Sequence, residues 1–213
     1  MHSRVIAAWL AAFAAFAFLV GAPGLGHADA AGPQVVKTGQ ILRGRFTLNR
    51  RLTGFAKPLR SEGSFSLIPG SGLIWHAQTP FENVTVLTAG GVSTRVNGQE
   101  TMRLPASRVP GIGHLYDVLG AAVSGDVAPL QHDFKVSRTE DAGGWHLVLT
   151  PLRSDNAAMS QIESLAVSGH RFVESIEIDK AGGDVDQLSF VSQTVDTGVP
   201  TAEESSLLAT LHK

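Results

Sequence analysis

The chain has no cysteine among its 213 residues. That excludes disulfides, thiolate metal sites, cysteine nucleophiles and lipid attachment through an N-terminal cysteine. Charge is sparse as well: 17 Lys plus Arg against 19 Asp plus Glu, for a net −2. A nucleic-acid binder needs a basic excess to neutralise phosphates, so that class is excluded too. There is no Gly-x-Ser-x-Gly elbow, no phosphate-binding glycine loop and no His-Glu-x-x-His. Long apolar runs are missing with one exception. Behind a short basic start at His2 and Arg4, Val5 to Val20 runs for sixteen residues without a charge. It falls short of the roughly 20 residues that span a bilayer, and Gly21, Pro23 and Gly24 break its end. Ala28-Asp29-Ala30 then supplies the small-x-small pattern read by signal peptidase. The segment reads as an export signal, residues 1–30, cleaved after Ala30. Residues 31–213 then form one domain in the periplasm of a Gram-negative cell. Without disulfides that domain depends on its core alone, which about 180 residues can supply.

What is present after the signal is alternation. Phe46, Leu48 and Leu52 alternate with Thr47, Asn49 and Arg51, and Phe65 and Leu67 with Ser64 and Ser66. Leu73 and Trp75 flank Ile74. Val84 and Val86 lead to Gly90-Gly91, and Val92 to Val96 return to Asn97-Gly98, a strong hairpin turn. Phe134 and Val136 precede the turn Asp141-Ala142-Gly143-Gly144, and Trp145, Leu147 and Leu149 follow on one face. His146 points away from that face, toward solvent. Phe172, Ile176 and Ile178 run into Gly182-Gly183, and Leu188 and Phe190 return. Turns at this spacing suit antiparallel hairpins; βαβ units need longer crossovers.

Helical periodicity is clear in two places. Ile112, Leu115, Leu119 and Ala122 make one stripe, preceded by Pro110 and ended by Gly125-Asp126. Near the C-terminus Thr201 with Glu204 forms a capping box, and Leu207, Leu208 and Leu211 form the apolar face. A short helical turn is also read over Asp155–Ser160. The fold class is mainly β (α+β): a curved antiparallel sheet covered by a few helices.

Charge is segregated although the total is near zero. Lys37, Arg43, Arg45, Arg50, Arg51, Lys57 and Arg60 come with no acid between Lys37 and Arg60, whereas ten acids and three bases follow from Asp155 onward. Mutual neutralisation across the sheet is the simpler reading; a cationic face for phospholipid headgroups or an acidic protein is the alternative. Candidates for catalysis are thin. Ser124-Gly125-Asp126 with His114 has nothing to distinguish it from a helix C-terminus. The histidines are scattered singly, without metal-ligand spacing. The expectation is no enzyme, no cofactor and no metal.

Such a sheet with two helices is either a filled core or a partial barrel whose helices cover an apolar cavity. Here the stretch from Phe46 through Arg50-Arg51 and Gly54 to Gly63 resembles the opening of the periplasmic outer-membrane lipoprotein carriers, the LolA-like family. So do Gly63-Ser64-Phe65-Ser66-Leu67, Gly72-Leu73-Ile74-Trp75, Thr79-Pro80-Phe81, and the order of Trp145 to Pro151, Ile176-Glu177-Ile178 and Leu188-Ser189-Phe190. The resemblance implies an incomplete β-barrel holding the acyl chains of lipoproteins, or related lipids, in an apolar cavity. It implies transport from an inner-membrane exporter to an outer-membrane acceptor by a monomer. The inward residues would be Phe46, Leu48, Phe65, Leu67, Trp75, Val86, Trp145, Leu147 and Leu149, with Ile112, Leu115 and Leu119 lining the lid. The lid-latching Arg-Pro of the best-known carriers is replaced by Pro69-Gly70, so the latch is missing or supplied elsewhere. The lipid-anchored acceptor of the same fold carries a cysteine, which this chain lacks. Two alternatives stay open: a binder of another lipid, such as a glycolipid, polyene or hopanoid-like molecule, and an envelope interaction protein with a filled core.

Overall fold

The computed structural model describes residues 33–108, 112–152 and 161–211, with the backbone alone for 112–115. The export signal and the Asp155–Ser160 turn lie outside the described residues. Eleven strands form one sheet: β1 (Gln40–Arg51), β2 (Leu59–Ile68), β3 (Gly72–Thr79), β4 (Asn83–Thr88), β5 (Gly91–Val96), β6 (Gln99–Pro105), β7 (Phe134–Asp141), β8 (Gly144–Pro151), β9 (Ile162–Gly169), β10 (Val173–Lys180) and β11 (Val185–Thr197). Among the described residues two helices accompany them, α1 (Ile112–Ser124) and α2 (Ala202–Ala209), with a short 3-10 turn at Pro129–His132. The order is β6-β5-β4-β3-β2-β1-β11-β10-β9-β8-β7, every pair antiparallel. β1 to β6 and β7 to β11 thus each run beside their sequence neighbours, and the two runs join at the β1–β11 seam. The edges β6 and β7 do not meet, and the barrel is incomplete.

The turns follow the sequence signals. Asn97 and Gly98 take φ of 51° and 75° in the β5–β6 hairpin, the left-handed pair that matches strand twist. Gly125, at φ 78°, ends α1. The predicted capping box is present: the Thr201 hydroxyl accepts from the Glu204 N–H and the Glu204 carboxylate from the Thr201 N–H. Two strands, β6 and β9, have no counterpart in the sequence reading.

Curvature follows from what α1 touches. It meets β2, β3, β4 and β5 on one side and β10 on the other. β5 and β10 stand six places apart in the sheet. On a flat sheet that is about 29 Å, more than twice the roughly 10–12 Å diameter of a helix. The sheet is curled round α1. Register assigns the faces. Phe46 opposes Phe190 and Gly63, Gly44 opposes Phe65, and Leu42 opposes Leu67, all toward α1. Ile41, Ile68, Ile74 and Val86 point outward and are covered by Leu207, Leu208 and Leu211 of the C-terminal segment. β1 to β4 are thus packed on both faces, with α1 inside and α2 outside.

Candidate functional site: the concave apolar face

At its centre lies an aromatic cluster. Phe46 and Trp75 have ring centroids 4.0 Å apart, Phe65 and Phe190 5.2 Å in an edge-to-face pair, and Trp75 and Phe190 6.0 Å. Glycine makes the space. A Cβ on Gly44 would come within 2.8 Å of the Phe65 ring. One on Gly63 would stand 1.9 Å from the His76 carbonyl oxygen of β3. Across the sheet, Leu147, Leu149, Leu165, Val167, Val173 and Ile176 complete the buried wall. The Trp145 indole N–H donates to the His170 carbonyl at 2.6 Å, fixing the ring at the end of β8.

Cover over this face is uneven. α1 closes the end where β2 turns into β3. There Tyr116 is buried and its hydroxyl accepts a hydrogen bond from the backbone of Gly70. Burial pushes the phenol above its ordinary value; that hydrogen bond acts the other way, and nearby Asp117 adds to the rise. Pro69-Gly70, which takes the place of the family's Arg-Pro, is therefore tied to the helix from the helix side. A cavity of about 790 Å³ lies beside this contact, lined by Val36, Lys37, Leu67, Tyr116, Ala121 and Asp126 among others. A second, of about 480 Å³, is bounded by Val127, Gln131, Phe134, Val136, Arg138 and Leu147.

Toward the opposite end the cover is lost. Along β1, Leu42 and Phe46 are buried but Leu48 is half-buried; along β10, Ile176 gives way to Ile178; along β11, Phe190 gives way to Leu188. The apolar strip stops at a charged cluster. Asp186, only 5% exposed, lies opposite Arg50 and accepts from it at 2.7 and 2.9 Å and from Lys180 at 2.6 Å. Burial alone would raise this carboxyl. The two cations outweigh it and hold Asp186 below its ordinary value.

Of the side chains expected to face inward, Phe46, Phe65, Leu67, Trp145, Leu147 and Leu149 are buried on this face, and Leu48, Trp75 and Leu119 are half-buried against it. Val86 is a correction. Trp75 pairs with Thr85 and Leu73 with Leu87, so β4 turns Thr85 and Leu87 inward and Val86 outward, under α2. Ile112 and Leu115 fall within α1, but their side chains lie outside the described residues. The sequence reading passed over Tyr116, Val92, Ile178, Leu188 and Phe190 as lining. Leu188 and Phe190 alternate in the sequence, and their register opposite Leu48 and Phe46 makes them lining.

The side chain of His114 lies outside the described residues. The Ser124 hydroxyl donates to the Ala121 carbonyl at 3.0 Å and accepts from the Asp126 N–H, bonds of a helix end. No group of three or more His, Cys, Asp or Glu that could hold a metal occurs among the described residues. Nor is any helix among them long and apolar enough to cross a membrane.

A family profile described as outer membrane lipoprotein carrier protein LolA-like matches residues 33–209. The chain belongs to the LolA-like family. It is a divergent member. A LolA superfamily protein of Nitrosomonas europaea overlays with 10% identity and a TM-score of 0.42, covering 80% of this chain and 92% of that one. A putative outer membrane lipoprotein-sorting protein domain of Vibrio parahaemolyticus gives 8% identity and 0.42, covering 83% and 93%. LprF of Mycobacterium bovis gives 14% and 0.34, covering 75% and 90%. A search of curated proteins returned no match.

Proposed function

We propose that this protein is a soluble periplasmic binder that holds the acyl chains of lipoproteins, or of related lipids, against its concave face and carries them toward the outer membrane. The observation that carries the reading is the loss of cover along that face. Leu48, Trp75, Ile178 and Leu188 are packed against the core beneath them and half open above. An acyl chain gains about 0.8 kcal/mol for each CH₂ taken out of water. A carrier needs that gain without directional bonds, so that the load can slide out again. A strip of Leu, Ile and Trp provides such contacts, and membership of a family described as lipoprotein carriers supports the identity of the load. The proposed activity is binding and release, with no reaction and no cofactor. Delivery by an inner-membrane exporter and receipt by an outer-membrane acceptor belong to the same proposal.

Trp75 provides the test. In a Trp145→Phe background, a brominated fatty acid seated on the strip should quench Trp75 fluorescence. Leu48→Arg with Leu188→Arg should weaken uptake by roughly tenfold or more, about 1.4 kcal/mol, with the circular dichroism unchanged. Native mass spectrometry of protein purified from the periplasm should reveal a bound lipid or lipopeptide. A bare chain that also fails to quench would sink the reading.

A further inference from the structure

The open end of the concave face is built unlike the end closed by α1. β1 and β2 overshoot their neighbour there: Glu62 already pairs with the last residue of β3, Thr79, while β2 begins at Leu59. The β1–β2 hairpin therefore stands about 10 Å beyond β3 before its loop begins. Its base is pinned. The Thr53 N–H donates to Asp184 at 2.8 Å and the Thr53 hydroxyl to the Gly182 carbonyl at 2.8 Å. Past that anchor every residue from Thr53 to Arg60 is exposed. The hairpin end is a fixed prong, and it carries Phe55 in the loop, 67% exposed, and Leu59 at the start of β2, 55% exposed. Beside it, two residues beyond the end of β3, Phe81 is 78% exposed. Phe55 and Phe81 are the exposed phenylalanines among the described residues, and both are at this end. Single exposed apolar residues are ordinary on a protein surface; several on neighbouring loops at one end are not.

Two cations at the same end have no ion-pair partner among the described residues, while Asp184, held by the neutral Thr53 N–H, keeps its negative charge. Arg50 is committed to Asp186, Arg60 to Glu62, Asp184 to Thr53, and Glu82 beside Phe81 to His76. Arg51 and Lys57 are exposed and have no acidic partner among the described residues. Aromatic tips flanked by free cations match an anionic bilayer surface, where phosphates face the cations and the headgroup–acyl boundary accepts the rings. We propose that this end of the molecule docks on an anionic lipid bilayer through Phe55, Leu59 and Phe81, with Arg51 and Lys57 meeting the lipid phosphates. The inference goes beyond the carrier reading and stands without it, because Phe55, Lys57 and Phe81 are on loops beyond the concave strip and Arg51 and Leu59 are at the strand ends that border them. If both hold, the opening faces the bilayer that supplies or receives the load.

The test is co-sedimentation with vesicles of phosphatidylcholine alone and of phosphatidylcholine with phosphatidylglycerol. All variants share one N-terminus and are checked for fold by circular dichroism. The protein should bind the phosphatidylglycerol vesicles, and salt should weaken binding. Phe55→Ser with Phe81→Ser should lower partitioning roughly tenfold, and Arg51→Glu with Lys57→Glu by about tenfold or more, at a few-fold per cation. Val199→Ser, an exposed residue before α2, and Arg45→Glu, an exposed mid-strand cation on the outer face, should change nothing. The proposal is overturned if neither vesicle is bound, if both loop pairs bind as the parent does, or if the cationic pair proves to capture an acidic protein while vesicles are ignored. Trp75 quenching by fatty acid is read separately, so failure of docking and failure of cargo binding are distinct results.

Discussion

Asp186 shows how a charge is kept on an otherwise apolar face. Its desolvation is offset by Arg50 and Lys180 together. Removing the carboxylate would leave two cations facing each other with no partner, so Asp186→Ala should cost about 3 kcal/mol in chemical denaturation. Glu204 is the outer-face counterpart. Two hydrogen bonds from Arg43, at 2.9 and 2.7 Å, lead the causes that bring its pKa down to about 2 against burial, with help from Thr201 and Ser66. A depressed folded-state pKa stabilises fully above the ordinary carboxylate value and loses that contribution as pH falls through the folded value. The effect should therefore drain away between pH 4.5 and about 2. Glu204→Gln should flatten the acid limb of a stability–pH curve over that window and cost up to about 3 kcal/mol at neutral pH. Gly63→Ala tests packing of the backbone. The added methyl would meet a carbonyl oxygen of β3, so the thermal midpoint should fall by several degrees, about 1–3 kcal/mol.

At the scale of elements, both helices are held by a few polar ties, and Val36 N–H donates to the Ser124 carbonyl at the end of α1. α2 is capped by Thr201 and clamped by Arg43. Thr201→Ala should cost about 1 kcal/mol and expose the outer cluster around Ile74 first. α1 is tied to the β2–β3 turn through Tyr116. Tyr116→Phe keeps the buried ring and removes one hydrogen bond, worth about 1 kcal/mol. Amide exchange in residues 116–124 should quicken while β7–β9 stay protected. Most of these elements were legible. Asn97-Gly98, Gly182-Gly183 and the Thr201–Glu204 box have local chemistry that tertiary packing does not override. β6 was not legible because Gln99–Leu104 is an exposed edge with only the short Met102–Leu104 alternation to read. β9 alternates Leu165 and Val167 with small residues, a weak signal with no strong turn before it. Val86 was misplaced because β4 is apolar on both faces, so alternation gives no parity. The partner strand decides it, through Trp75 opposite Thr85.

Across the whole molecule, the segregated charge resolves into two uses. Arg43 and Arg50 neutralise acids of the C-terminal part, Glu204 with Asp196 and Asp186 respectively, as the sequence argument favoured. Arg51 and Lys57, from the same basic run, are left free at the hairpin tip. Sequence could not divide the run, because the division depends on which cations reach β11 and α2. The concave strip was partly legible: alternation named Phe46, Leu48 and Phe65, but only register adds Leu188 and Ile178 beside them. The seam between β1 and β11 has one further consequence. Both halves of the sheet are meanders whose strands can pair as soon as they emerge. At the seam, however, Phe46 must wait for Phe190. Until the last strand arrives, one edge of β1 lies bare beside its apolar side chains, a template for pairing with another chain. Closing so long a loop is slow compared with forming a hairpin. The kinetic hazard of this protein is therefore concentrated in the interval before its last strand arrives, and a holding chaperone that shields β1 should raise the yield of folded protein more than one that shields any later strand.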